Sequence, residues 1–251
     1  MATAMNGDLK LPIAYFFNSS MDSYVRSNLI KHCLEWLYDT GAIVYTITFD
    51  GLKSNICTAE NLGARLQPDS NWVPYFPHPV KPKPGETAMP PIYVMLDAAH
   101  MVKLWRNVFG SSAQLQDFRG RSISFEHVKK LHALQEKEDL RAENKLSSSH
   151  VNFSNNKEKN RFAAQFLSIS VADAIDACRE DWKLPEFRGS EATAEFIRIV
   201  DTIFDTLNST NLRTRNPYKK ALCNDNIAAV RQTFAEAREY IRGLKVKGPK
   251  K

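Results

Sequence analysis

The run LPIAYFF, Leu11 to Phe17, is aromatic and aliphatic throughout and predicts a strand, stopped by Asn18 and Ser19. After Ser20, a helix-cap candidate, the apolar residues Val25, Leu29, Cys33 and Leu37 step by four, which predicts a helix with one buried face, ended by Gly41. AIVYTITF, Ala42 to Phe49, is β-branched and aromatic, with Ile43, Tyr45, Ile47 and Phe49 on one face and Val44, Thr46 and Thr48 on the other. A strand so apolar on both sides belongs inside a sheet. Asp50-Gly51 closes it, and Thr58 is predicted to cap a short helix running to Leu66. Eight prolines then crowd between Pro68 and Pro91, where neither helix nor strand is expected to persist. PIYVML, Pro91 to Leu96, is the next predicted strand; it ends in Asp97 and leads into a helix from about Ala99 to Phe109.

From Ser124 onward the period is almost wholly helical. Ser190 to Asn208 carries Phe196, Val200, Ile203 and Leu207 on one stripe. Asn226 to Leu244 carries Ile227, Val230, Phe234, Ala237, Ile241 and Leu244, and a helix from Lys157 to Glu180 turns Leu167, Val171, Ala174 and Cys178 inward. The pattern is therefore α/β followed by mostly α, with the expected division at residues 1–90 and 91–251. No internal repeat interrupts it.

Hydrophobic residues make up 43% of the chain, enough for a substantial core, and no stretch is long and apolar enough to span a membrane. A soluble, intracellular protein without a membrane partner is expected. The four cysteines, Cys33, Cys57, Cys178 and Cys223, lie far apart without metal-ligand spacing and are expected to be reduced, structural thiols. The net charge of +6 favours polyanionic partners. Two clusters supply much of it: Arg213, Arg215, Lys219 and Lys220 in one loop, and Lys245, Lys247, Lys250 and Lys251 in a tail. Either is a solvated surface or a nucleic-acid contact.

Candidate chemistry gathers at strand ends. Asp50 stands where an apolar strand runs out, the end at which open α/β sheets place ligands; it is a Mg²⁺ ligand or an Asp-Gly turn residue. Asp97 is the second such acid. In the helix behind it Met101, Leu104, Trp105 and Val108 form the predicted buried stripe. His100, Lys103 and Asn107 then share the other face, with Arg106 at its edge, as a phosphate-facing group or a solvated surface. In the helical half Asp205 and Asn208 sit three apart. Together they can read a purine edge, although such spacing on a polar helix face also arises by chance. No P-loop, no Rossmann glycine turn, no serine nucleophile elbow and no HExxH is present.

Taken together, LKLPIAYFF, TITFDGLKSN, LGARL, PYFPHP, YVMLDAAHMVKLWRN, ENKLSSSHVNFSNNKEKNRFAAQFLSISVADAI and FRGSEATAEFIRIVDTIFDTLNSTN resemble the P-element transposase family, whose animal relatives include transposase-derived THAP-domain proteins. The resemblance runs in order over about residues 9 to 244. It implies a partial RNase H-like sheet with a helical GTP-binding insertion domain, nuclear localisation, transposon-end DNA and GTP as partners, and Mg²⁺ in the intact site. In that scheme Asp50 matches the second carboxylate of an acidic triad and His100 a supporting histidine. Lys145, Lys159, Asp205 and Asn208 fall on positions of the guanine-nucleotide site, with Asp139 and Phe204 as further members. Asn160 departs from the apolar residue expected beside Lys159.

The same comparison implies that the first catalytic acid precedes LPIAYFF, where only Asp8 stands, in a turn, and that the third follows the helical insertion. The expectation is a transposase fragment that keeps guanine-nucleotide and DNA binding without catalysis, and whose open sheet edge invites self-association. Two alternatives stand beside it: a domesticated helical adaptor that binds a protein partner, and an unrelated hydrolase built on Asp50, Asp97 and His100.

Overall fold

The computed structural model describes residues 1–5, 9–17, 20–67, 71–81, 88–111, 114–138, 144–152 and 159–247. The chain divides into two compact units, Met1–Asp97 and Ala98–Lys251.

The first unit holds β1 (Ala2–Thr3), β2 (Lys10–Leu11), α1 (Ser23–Asp39), β3 (Thr46–Phe49), α2 (Lys53–Leu62), β4 (Tyr75–Phe76) and β5 (Ile92–Leu96). β1 and β2 form an antiparallel ribbon, and the strand expected over LPIAYFF stops at Leu11. Beyond it Tyr15 and Phe17 are 80% and 95% exposed. Strand-forming residues make a strand only where a neighbour supplies the ladder, and the described residues offer none here. α1 is capped by Asp22 rather than Ser20: the Asp22 carboxylate accepts the Tyr24 N–H at 2.9 Å. Its inward side is Ser27, Ile30 and Leu34; Val25, predicted inward, is exposed. Gly41 follows the cap at φ +79°, the left-handed turn that a side chain would strain.

β3 runs parallel to β5, with Thr46 opposite Tyr93 and Phe49 opposite Leu96, and β4 lies antiparallel on the other side of β5. The order β3-β5-β4 thus places PIYVML in the middle, and AIVYTITF, expected inside the sheet, contributes only its last four residues, at an edge of the described sheet. The proline-rich stretch also holds a strand after all. β4 sits between Pro74 and Pro77 at the sheet edge, where a missing N–H is tolerated. α2 is not capped by Thr58, which is buried mid-helix and donates to the Ser54 carbonyl at 2.8 Å. Leu34, Ala59, Leu62, Ala64, Phe76, Ile92 and Val94 form the core on one sheet face, while Tyr75, Tyr93 and Met95 on the other face are exposed.

The second unit holds α3 (Ala98–Gly110), β6 (Gln114–Gln116), β7 (Ser122–Ile123), α4 (Glu126–Glu138), α5 (Ser148–Val151), α6 (Asn160–Phe166), α7 (Ile169–Glu180), α8 (Glu191–Leu207), α9 (Ile227–Arg242) and β8 (Lys245–Lys247). The helix expected over Lys157–Glu180 is two helices, broken at Leu167 and Ser168. Ser168 is extended and its hydroxyl donates to the Gln165 carbonyl at 2.9 Å, a local bond that competes with helix propagation. Its predicted inward residues are nonetheless buried: Leu167, Val171, Ala174 and Cys178. Burial pushes the Cys178 thiol up to about 11, which keeps it protonated and inert, and all four cysteines are free. β8 pairs antiparallel with β6, so Lys245 and Lys247 belong to a strand rather than a loose tail.

α3 is rotated from its expected pose. Val102, Lys103, Arg106 and Phe109 are its buried residues, Arg106 completely so, while Val108 is exposed. Arg106 donates to the Asn107 side-chain oxygen from Nε at 3.2 Å and Nη2 at 3.0 Å. Asn144 and His150 are also buried in this unit, and burial lowers the His150 pKa, with the Arg106 charge adding to that effect. Phe109 meets Phe125, Phe166 and Phe196 ring to ring, and this aromatic cluster joins α3 to α6 and α8. No described helix is long and apolar enough to cross a membrane.

Candidate functional site

Along α8 the buried residues Ala192, Ala194, Phe196, Ile197 and Val200 give out after three turns. The last two turns are only partly buried, and there Phe204, Asp205 and Asn208 line a cavity of about 400 Å³ together with Ser209, Thr210, Asn211, Thr214 and Lys219. Asn208 is the C-cap, its N–H bonded to the Phe204 carbonyl. Two carboxylates, Asp201 and Asp205, therefore stand one turn apart at the C-terminal end of a helix, where the macrodipole and their mutual repulsion both disfavour negative charge. Burial pushes Asp201 up to about 6, and the Asp205 charge adds to this, while the Ile169 N–H opposes it. Burial likewise raises Asp205, and Lys219 offsets part of that rise, its Nζ lying 3.4 Å from Asp205 Oδ2. Charges disfavoured by burial and by the helix end, beside a cavity, make this end of α8 the candidate site.

The remaining predicted nucleotide residues fall elsewhere. Lys145 is exposed ahead of α5, and Lys159 stands at the N-cap of α6 with its ammonium 5.1 Å from the Phe162 ring centroid; neither is among the described residues lining the cavity. Asp139 lies outside the described residues. The sequence reading missed Ser209, Thr210, Asn211, Thr214 and Lys219. Its available signal was the polar, turn-forming run NSTNLRTRNP directly after an amphipathic helix. Lys219, read as part of a basic surface, instead faces an acid.

In the first unit Asp50 leaves the C-terminal end of β3. Its Oδ1 accepts the Leu52 N–H at 3.1 Å and the Asn55 side-chain amide at 2.6 Å, so the carboxylate braces the turn that leads into α2. Among the described residues Oδ2 takes no hydrogen bond. The parallel register carries Asp97 to the same end of the sheet, next to β5, and its backbone N–H donates to the Phe49 carbonyl at 2.9 Å. His100 is half-buried in the first turn of α3, in the other unit. No group of three His, Cys, Asp or Glu residues able to hold a metal ion occurs among the described residues.

Comparison with known proteins bears on both units. Residues 1–63 match the family model of the TNP-like RNase H N-terminal domain, and residues 99–221, which include the cavity, match that of the TNP-like GTP-binding insertion domain. The human DNA transposase THAP9 is 29% identical over 222 residues, 88% of this chain and 23% of the relative. The Drosophila P element transposase strand transfer complex superposes with a TM-score of 0.80 at 23% identity, over 99% of this chain and 52% of that one, a likeness of fold. The chain thus spans about a quarter of its curated relative and half of the solved one. With an RNase H-like portion followed by a helical insertion domain, it belongs to the P-element-type, TNP-like transposase family.

Proposed function

We propose that this chain supplies guanine-nucleotide recognition to a P-element-type DNA transposase, in the cavity at the end of α8. The observation that carries the reading is the ionic contact between Asp205 and Lys219 within the cavity wall. A buried carboxylate that draws in a cation is suited to a ligand edge that donates two N–H groups, as guanine does and adenine does not. Phe204 offers a ring to stack on the base, and Asn208 an amide for its carbonyl. The cavity volume lies within the range of small-molecule sites. Lys145 and Lys159 enter as further members of the guanine-nucleotide site, on family resemblance alone, as does Asp139.

Calorimetry on the purified chain with GTP and ATP tests it. The expected result is binding of GTP with at least a tenfold preference over ATP, lost in Asp205→Asn. Equal binding of both nucleotides, or an unchanged preference in the variant, refutes the reading.

For the first unit we propose that Asp50 gives one oxygen, Oδ2, to a divalent-metal centre that acts on transposon-end DNA in the nucleus. A Mg²⁺ ion there needs ligands that the described residues do not supply. The test variant is Asp50→Asn, which keeps an acceptor for the turn before α2 while removing the charge. In a transposase containing this chain, DNA nicking with Mg²⁺ is expected to be abolished by it, and full retention of nicking sinks the assignment.

A further inference from the structure

We propose that Lys219 is a tethered latch on the α8 cavity: its ammonium holds the Asp205 carboxylate, and a ligand that donates N–H groups to Asp205 binds only by displacing it. The inference rests on the guanine-nucleotide reading and adds a regulation of the same site.

Both members of the pair line the cavity, so contact and ligand compete for one carboxylate. The approach of Lys219 is built into the loop rather than left to a free side chain. Lys219 ends a 3-10 turn, Pro217–Lys219, whose entry is fixed by the Asn216 side chain accepting the Tyr218 N–H at 2.9 Å. The loop is closed at its base, where the Ala221 N–H meets the Asn211 carbonyl at 3.1 Å and Asn211 bridges to Lys220. Inside it the Arg213 N–H is held by the Asn211 side chain at 2.8 Å. Residues 211–221 are thus a clasp hung from one hinge, and Lys219 is the point at which it fastens to α8.

Electrostatics explains why it fastens. Asp205 is nearly buried, and Asp201 lies one turn back on the same helix, with Asp173 of α7 also acting on Asp201. A cation there relieves a charge that burial and the helix end disfavour. Its release is cheap, because the Lys219 side chain is more than half exposed and returns to water. An ion pair of that exposure restrains a competitor by only roughly two- to fivefold. The latch is therefore a filter: it opens for a ligand that offers Asp205 donors of its own and stays shut to one that offers acceptors.

Guanosine is the probe, because it lacks phosphates that Lys219 could attract. The full chain and its Lys219→Met and Lys219→Arg variants are titrated with it side by side at pH 8. Lys219→Met is expected to bind guanosine roughly two- to fivefold tighter than the parent, and Lys219→Arg to bind as the parent does. Equal or weaker binding by Lys219→Met, with the parent binding normally, overturns the latch. If guanosine and GTP bind none of the three proteins, the guanine reading itself has failed. Hydrogen exchange over residues 211–221 without ligand then judges the latch alone. Faster exchange in both Lys219→Met and Asp205→Asn is the result expected of a fastened clasp, and unchanged exchange in either overturns it.

Discussion

The two units solve the problem of burial differently. In the second, twenty-two residues form one core cluster among the described residues, and an aromatic group of Trp105, Phe109, Phe125, Phe166 and Phe196 draws on three helices and the turn before α4. In the first, the corresponding cluster has seven members, all against one face of a three-stranded sheet. The opposite face presents Tyr75, Tyr93 and Met95 to solvent, and the two tyrosine rings meet at 5.5 Å. A small core on one side of a sheet supports a fold only marginally. The difference also sorts the chemistry: the cavity stands on a helix anchored in the larger core, whereas Asp50 stands on an edge strand of the smaller.

The severest way to break the comparison is to cut the larger core. Phe196 is 1% exposed and meets Trp105 edge-on and Phe109 at a tilt, so Phe196→Ala is expected to cost the second unit about 3–5 kcal/mol. Hydrogen exchange read separately on peptides of each unit checks it. Protection is expected to fall across α3, α7 and α8 and to hold across α1, β3 and β5. A fall of equal size in both units would mean that they fold as one, and the contrast would fail.

A smaller effect, of opposite sign, comes from Asp201, one turn before the cavity on α8. A folded-state pKa of about 6 at Asp201 means that the fold holds this proton more tightly than the unfolded chain does. The stability it contributes is full below pH about 4, the ordinary carboxylate range, and is lost as pH rises through about 6. Asp201→Asn removes that loss while keeping an acceptor for the Ile169 N–H. The variant is expected to gain about 1–2 kcal/mol at pH 8, after allowance for solvent screening, and close to nothing at pH 4. Denaturant titrations at the two pH values decide it, and a gain that does not change with pH would show that Asp201 is not the titrating group.

These contrasts also explain what the sequence disclosed. The strand ends at Asp50 and Asp97 were legible, because short β-branched runs closed by an acid leave little choice of register. The inward residues of α7 were legible as well, since its apolar stripe has no rival on the polar side. α3 was not: Met101, Leu104, Trp105 and Val108 form as good a stripe as Val102 and Phe109, and hydropathy alone sends Lys103 and Arg106 to solvent. Both are instead buried, in a unit whose interior also holds the polar Asn144 and His150. Lys219 was missed for a related reason. Its partner Asp205 lies fourteen residues back, across a loop whose closure at Asn211 has no period to read.

The mildest prediction sharpens the other side of the comparison. Tyr93 lies mid-strand in β5, 47% exposed, with Tyr75 opposite it on β4 and Thr46 opposite it on β3. Tyr93→Thr keeps a residue suited to a strand and removes the ring pair, so on an uncovered face it costs no more than about 0.5–1 kcal/mol. Thermal unfolding of the full chain is expected to move by a few degrees at most. The logic of burial makes the larger outcome informative. A ring that loses its contacts on both sides costs about 3 kcal/mol or more, and such a cost at Tyr93 requires a second surface packed on it. Sedimentation at two protein concentrations would then identify that surface. If the parent chain associates and Tyr93→Thr does not, the open face is covered by a second copy, and the first unit owes to association the burial that the second unit finds within itself.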